Sequence, residues 1–81
     1  MITVYSTETC SACSAAKGWL EANNIEYESV MIDEDIDAAK LMMSRGLRTV
    51  PQIYIDEEHI GGWDDLRKLG LKGVQEKIGG N

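Results

Sequence analysis

The sequence predicts an α/β fold, a four-stranded mixed sheet flanked by helices, with its elements in the order βαβαββα. Three features predict it. The chain opens on an alternating β-branched run, its middle repeats a strand-then-helix pattern, and it closes on a short hairpin followed by a helix. At 81 residues it has room for one domain, residues 1–81, near the size at which a single hydrophobic core becomes marginal.

Ile2 to Ser6 alternates apolar and polar side chains as a half-buried strand does. Thr7 and Thr9 then offer caps for a helix over Ala12 to Asn23. That stretch is rich in Ala, Leu and Lys, and its Ala16, Trp19, Leu20 and Asn23 stack on one face. Gly18 costs this helix about 1 kcal/mol relative to Ala. Asn23-Asn24 breaks it, and Ile25 to Ile32 reads as a second strand, a spacing that suits a right-handed crossover between parallel neighbours. Asp33, Glu34 and Asp35 place acids at the positive end of a second helix, Ile36 to Ser44, which Gly46 closes. After the lone proline, Pro51, a third strand runs from Gln52 to Asp56. A turn at Asp56 to Glu58 returns the chain into a short fourth strand around His59-Ile60. Gly61-Gly62 opens the last helix, Trp63 to Ile78, which Gly70 and Gly73 break or fray.

Composition narrows the function. A hydrophobic share of 43% suits a packed core and argues against disorder. No apolar run approaches the roughly 20 residues of a membrane-spanning helix. The net charge of −6 argues against nucleic-acid or anionic-membrane partners, which require clustered Lys and Arg. The opening Met1-Ile2-Thr3-Val4-Tyr5 lacks the basic start of a secretory signal, so a cytoplasmic location is the default expectation.

The two cysteines, Cys10 and Cys13, lie where the first strand gives way to the first helix. A pair so close in sequence makes a poor structural staple, because the loop it closes restrains the unfolded chain little. In a reducing compartment it is read as catalytic or metal-bound. Tetrahedral zinc needs four ligands and His59 is the one further strong candidate, which argues against a metal. The helix start favours a thiolate over a thiol, and thiolate is the attacking species in disulfide exchange. An i to i+3 spacing across one helical turn holds the Cα atoms about 5–6 Å apart, within disulfide reach. Cys10, at the tip, is therefore assigned the attack, and Cys13, turned back into the first turn, the resolution.

Two further segments have plain readings when taken alone. Thr49-Val50-Pro51 precedes a strand, and Gly61-Gly62-Trp63-Asp64-Asp65 reads as a turn and helix start. Together with a CxxC at a helix start they resemble the glutaredoxin family at three separated points in the right order. The segment Thr49 to Leu66 matches almost without a break, and the opening through Lys17 extends the resemblance over nearly the whole chain. The element order is likewise that of the minimal thioredoxin fold.

The resemblance implies a glutathione-dependent thiol–disulfide oxidoreductase that reduces protein disulfides and glutathione mixed disulfides, with ribonucleotide reductase among its clients, working as a monomer. It implies that Pro51 is cis and packs on the cysteine pair. Thr49, Val50 and Pro51 would bind glutathione, with the peptide N–H and C=O of Val50 receiving its cysteinyl part. Asp64 and Asp65 would meet its α-amino group, and main-chain N–H groups after Gly62 its carboxylate, with Gly62 and Trp63 among the binding residues. Arg48 and Lys17 are candidates for the other carboxylate.

This chain departs from the family pattern in three places. The usual Cys-Pro-Tyr-Cys is Cys-Ser-Ala-Cys here, so Ala12 removes an aromatic ring that flanks glutathione, while Ser11 restores a backbone N–H that proline would lack. Thr7 replaces a basic residue common three positions before the first cysteine. These departures leave two alternatives: a glutaredoxin-like redoxin recharged by thioredoxin reductase, and a carrier of a [2Fe–2S] cluster shared between two protomers. His59 is read as an exposed strand residue, and Met42 and Met43 as core and surface of the second helix.

Overall fold

The first strand sorts its side chains by face. In the computed structural model, which describes residues 1–79, strand β1 (Ile2–Ser6) buries Ile2, Val4 and Ser6 completely and leaves Thr3 and Tyr5 on the other side partly open. Chain order continues with helix α1 (Ser11–Ala22), strand β2 (Tyr27–Met31), helix α2 (Ile36–Ser44), strands β3 (Gln52–Ile55) and β4 (Glu58–Gly61), and helix α3 (Trp63–Gly79). The sheet order is β2-β1-β3-β4, with β1 parallel to β2 and antiparallel to β3, and β3 antiparallel to β4. This is the predicted four-stranded mixed sheet. β3 is buried at every position, as a central strand in a sheet covered on both sides should be.

The core lies between one sheet face and helices α1 and α3. Ile2, Val4, Ile53 and Ile55 from the sheet meet Ala16 and Leu20 from α1 and Leu66 and Val74 from α3. Burying a side chain of this size contributes about 1.5–3 kcal/mol, so these contacts hold both helices against the sheet. α2 lies apart from this cluster; it encloses Ala38 and Met42 and leaves Ile36 and Met43 in solvent.

Helix boundaries follow from local hydrogen bonding. α1 ends in a Schellman arrangement: Ile25 N–H donates to Leu20 C=O at 2.9 Å and Asn24 N–H to Glu21 C=O at 3.1 Å, with Asn24 at φ 58°. Ile25 is consumed by that cap, and β2 starts at Tyr27 rather than at Ile25 and closes at Met31. α2 is capped at its start by Asp35, whose carboxylate accepts from Ala38 N–H at 3.1 Å, and ends in the same motif through Gly46 and Leu47. β3 stops at Ile55 because Asp56 turns to φ 54°.

Two expectations are corrected. Neither Thr7 nor Thr9 caps α1; that position belongs to Cys10. The last helix breaks at Gly70 (φ 74°, ψ 171°), a conformation reserved for glycine, whereas the chain passes Gly73 without a break.

Candidate active site

Cys10 is the N-cap of α1. Its backbone is extended (φ −104°, ψ 111°), and its Sγ accepts a hydrogen bond from Cys13 N–H at 3.0 Å. A Ser, Thr, Asn or Asp oxygen usually does this work. Sulfur is a weak acceptor when neutral and a strong one as thiolate, so the cap and the positive helix end both favour the ionised form. Cys13 is 1% exposed and Cys10 is partly exposed, which gives the two sulfurs the unequal access that attack and resolution require. They are joined as a disulfide, with Cα atoms 5.2 Å apart.

Three segments of the chain converge on a groove of about 440 Å³ beside this pair. One wall is the Thr49-Val50-Pro51 segment, with the Val50–Pro51 bond cis. The Val50 carbonyl oxygen lies 3.5 Å from Cys10 Sγ, and the Val50 N–H has no partner among the described residues. An unpaired main-chain group at a groove wall is a receptor for another backbone. The opposite wall is the start of α3, with Gly62, Trp63, Asp64 and Asp65, and Ala12 contributes from α1.

At that opposite wall the acids are already engaged. Gly62 is the N-cap of α3: its carbonyl accepts the first helical bond from Leu66 N–H at 3.0 Å, and its own N–H donates to Asp65 Oδ2 at 3.0 Å. This is half of a capping box, built with Asp. Asp64 pairs with Arg67 one turn on, and the Arg67 guanidinium also lies over the Trp63 ring, 5.4 Å from its centroid. Gly61 has φ 122°, and a Cβ there would fall within contact distance of the Asp65 carboxylate.

The structure thus gathers Thr49, Val50, Pro51, Gly62, Trp63, Asp64 and Asp65 around one groove beside Cys10 and Cys13. Lys17 and Arg48 do not line it. Lys17 Nζ rests 3.7 Å from Met31 Sδ, against the end of β2, and Arg48 is exposed beside Thr49. Three groove residues escape the sequence reading, Leu47, Gln52 and His59. His59 is exposed as expected, yet its Nε2 lies 2.7 Å from Gln52 Oε1. A Gln directly after Pro51 and a His two residues before Gly61 are visible in the sequence, but nothing in their spacing tells that β3 and β4 pair them across the sheet. No group of three or more His, Cys, Asp or Glu side chains able to hold a metal ion occurs among the described residues.

Comparison with known proteins agrees with this geometry. The glutaredoxin family model matches residues 2–60. Glutaredoxin 3 of Escherichia coli is 40% identical over 73 residues, covering 89% of this chain and 88% of the relative. The chain belongs to the glutaredoxin family. Its activity is therefore thiol–disulfide oxidoreduction with Cys10 and Cys13 as the redox pair. The crystal structure of a buckwheat glutaredoxin–glutathione complex superposes with a TM-score of 0.83 at 26% identity, covering 98% of this chain and 76% of that one. A glutaredoxin-like redoxin of E. coli described as having a thioredoxin-like activity profile shares the fold, with a TM-score of 0.75 at 24% identity over 86% of this chain and 92% of that one. Fold alone does not choose a reductant.

Proposed function

We propose that this glutaredoxin takes its electrons from glutathione and reduces protein disulfides and glutathione mixed disulfides, with ribonucleotide reductase among its clients, as a monomer in a reducing, cytoplasmic setting. The Cys10 thiolate attacks one sulfur of the substrate disulfide, and the departing sulfur leaves as a thiolate and takes up a proton. Cys13 then loses its proton and attacks Cys10 Sγ, which releases the second substrate thiol and closes the Cys10–Cys13 disulfide. Two electrons pass from the dithiol to the substrate; two glutathione thiols return them and leave as glutathione disulfide.

The observation that carries this reading is the unpaired Val50 N–H beside the Val50 carbonyl that sits 3.5 Å from Cys10 Sγ. A cysteinyl residue docked on both groups places its sulfur next to Cys10. Thr49 and Pro51 hold that edge, and the main-chain N–H groups of Trp63 and Asp64 at the start of α3 receive the γ-glutamyl carboxylate. Asp64, with Asp65 beside it, faces the α-amino group, and Arg67 must yield Asp64 when it does so. Arg48 and Lys17 reach the other carboxylate only by swinging toward the groove. The buckwheat protein crystallised with glutathione lends support from the family.

The test is glutathione-coupled reduction of a small glutathione mixed disulfide by the parent, Cys10→Ser and Cys13→Ser. Cys10→Ser is expected to abolish turnover, and Cys13→Ser to keep exchange with the mixed disulfide but lose reduction of a protein disulfide. Equal survival of both variants refutes the roles. A second reading, recharging by thioredoxin reductase, draws on the prior engagement of Asp64 by Arg67 and of Asp65 by Gly62, together with Ala12 at the groove. Supplying each reductant separately to the oxidised protein decides between them.

A further inference from the structure

Gln52 is a polar side chain in an enclosed place, 6% exposed, at the point where the irregular Thr49-Val50-Pro51 segment becomes β3. Both ends of its amide are used. Nε2 donates to the Thr49 carbonyl oxygen at 2.9 Å and contacts Thr49 Oγ1 at 3.1 Å, while Oε1 faces His59 Nε2 at 2.7 Å. The Thr49 carbonyl only accepts, so the nitrogen of the amide must face it and the oxygen must face His59. An amide oxygen only accepts as well, so His59 Nε2 carries the proton. The imidazole ring is steadied by Tyr54, with ring centroids 4.9 Å apart. A directed chain of hydrogen bonds therefore runs His59 → Gln52 → Thr49, from β4 through β3 into the groove wall.

That wall needs an external support. The β1–β3 ladder begins at Gln52, so Thr49 and Val50 lie beyond the reach of the sheet. Neither is tied by a main-chain hydrogen bond among the described residues. The Gln52 amide is what fixes the peptide unit joining Thr49 to Val50, because it holds that unit's carbonyl oxygen while the same unit supplies the Val50 N–H. A peptide unit is planar, so holding the oxygen sets the direction of the N–H.

We propose that Gln52 and His59 are positioning residues: they aim the Val50 N–H into the groove for the backbone of a peptide disulfide seated against Cys10. This rests on the reading that the Val50 main chain receives the cysteinyl part of glutathione. It assigns the two residues to selection of peptide disulfides over disulfides that carry no amide, and gives them no part in sulfur exchange itself.

The experiment follows single-turnover oxidation of the reduced protein by two disulfides, a glutathione mixed disulfide and bis(2-hydroxyethyl) disulfide, which has no amide. Gln52→Leu keeps the bulk and loses the amide; His59→Phe keeps the ring over Tyr54 and loses the donor. Gln52→Leu is expected to raise the half-saturating concentration of the glutathione mixed disulfide about three- to tenfold, the weight of a lost hydrogen bond, with its limiting rate unchanged. His59→Phe is expected to raise it about two- to threefold by loosening the amide. Reaction with bis(2-hydroxyethyl) disulfide stays at the parent rate in both. In nuclear magnetic resonance spectra the parent shows His59 protonated at Nε2, and both variants shift the Val50 amide. Should Gln52→Leu fail to fold, His59→Phe at the exposed end carries the test. An unchanged half-saturation with an unmoved Val50 amide overturns the positioning role, as does an equal loss with both disulfides. If the parent itself does not prefer the glutathione mixed disulfide, the glutathione reading falls and this proposal with it; if the parent prefers it and the variants do too, this proposal falls alone.

Discussion

α1 and α3 both begin at the groove, and both must satisfy main-chain N–H groups that no earlier turn can reach, yet they do so with different atoms. α1 uses the sulfur of Cys10, which receives Cys13 N–H at 3.0 Å; α3 uses the carboxylate of Asp65, which receives Gly62 N–H at 3.0 Å. The carboxylate takes no part in redox exchange, so its cap is the same in the oxidised and the reduced protein. A sulfur accepts more strongly as a thiolate than in the disulfide in which this bond is seen, so the start of α1 changes strength with the state of the very atom that reacts. The helices also differ beyond their first turns. α1 runs unbroken to a Schellman cap, whereas α3 is interrupted at Gly70. One helix is a rigid mount for chemistry; the other supplies a binding edge.

The largest effect expected from breaking this contrast is at Cys10. Cys10→Ser keeps a capping oxygen and should leave the fold intact while removing all disulfide exchange, as read by turnover and by circular dichroism on the same sample. In the parent, thiolate absorbance during titration should show the Cys10 thiol ionising below the ordinary cysteine value, because its charged form gains the Cys13 N–H and the helix end. Ordinary behaviour at that sulfur would place the driving force somewhere other than the helix start.

Next in size is Gly61→Ala. The residue sits at φ 122°, where side chains are strained, and the added Cβ presses on the carboxylate that caps α3. A loss of about 1–3 kcal/mol in stability by urea unfolding is expected. Gly70→Ala separates the two causes, since its φ is 74° but a Cβ there meets nothing within 4 Å. Any excess loss at position 61 over position 70 measures the disturbed cap. Asp65→Ala removes the cap without strain and should cost about 1 kcal/mol, with weaker saturation by glutathione substrates. A neutral Asp65→Ala would show that the α3 edge is held by Leu66 packing alone.

The sequence carried the local part of this architecture. Alternation in Ile2 to Ser6, the acids before Ile36 and the stop at Gly46 are short-range signals, and α2 runs from Ile36 to Ser44 as they predict. What it did not carry is set by tertiary pairing. Thr7 and Thr9 are better caps by residue type than Cys10, but the backbone becomes extended and turns into the helix at Cys10, so sulfur takes the position. Ile25 has strand propensity and is spent on ending α1. Within the site, Cys10, Cys13, Thr49 to Pro51 and Gly62 to Asp65 are legible because their motifs are contiguous. Gln52 and His59 belong to different strands and meet only through the register in which Tyr54 opposes His59. The partners of Asp64 and Lys17 were equally hidden, because a charged side chain selects its neighbour only once the surface exists.

The smallest effect lies at the far end of α1 and tests whether that helix is held at both ends. The Tyr27 hydroxyl, on β2, donates to the Glu21 carboxylate in the last turn of α1. That hydrogen bond, followed by partial burial and by the negative charge of Glu21, disfavours phenolate, and the Tyr27 pKa is pushed up from 10.0 to about 12. A folded pKa above the unfolded value means that the folded state holds the proton more tightly. The stabilisation is therefore complete below pH 10.0 and lost as the pH rises through about 12. Phenolate absorbance should show Tyr27 titrating late, and Glu21→Gln should bring it back toward 10.0. The same variant should leave disulfide exchange at the parent rate, because the unbroken helix separates Glu21 from Cys10 by about three turns. If exchange fell with the tyrosine shift, the two ends of α1 would be mechanically coupled, and the cap at Cys10 would owe its geometry to the anchor on β2 rather than to its own first turn.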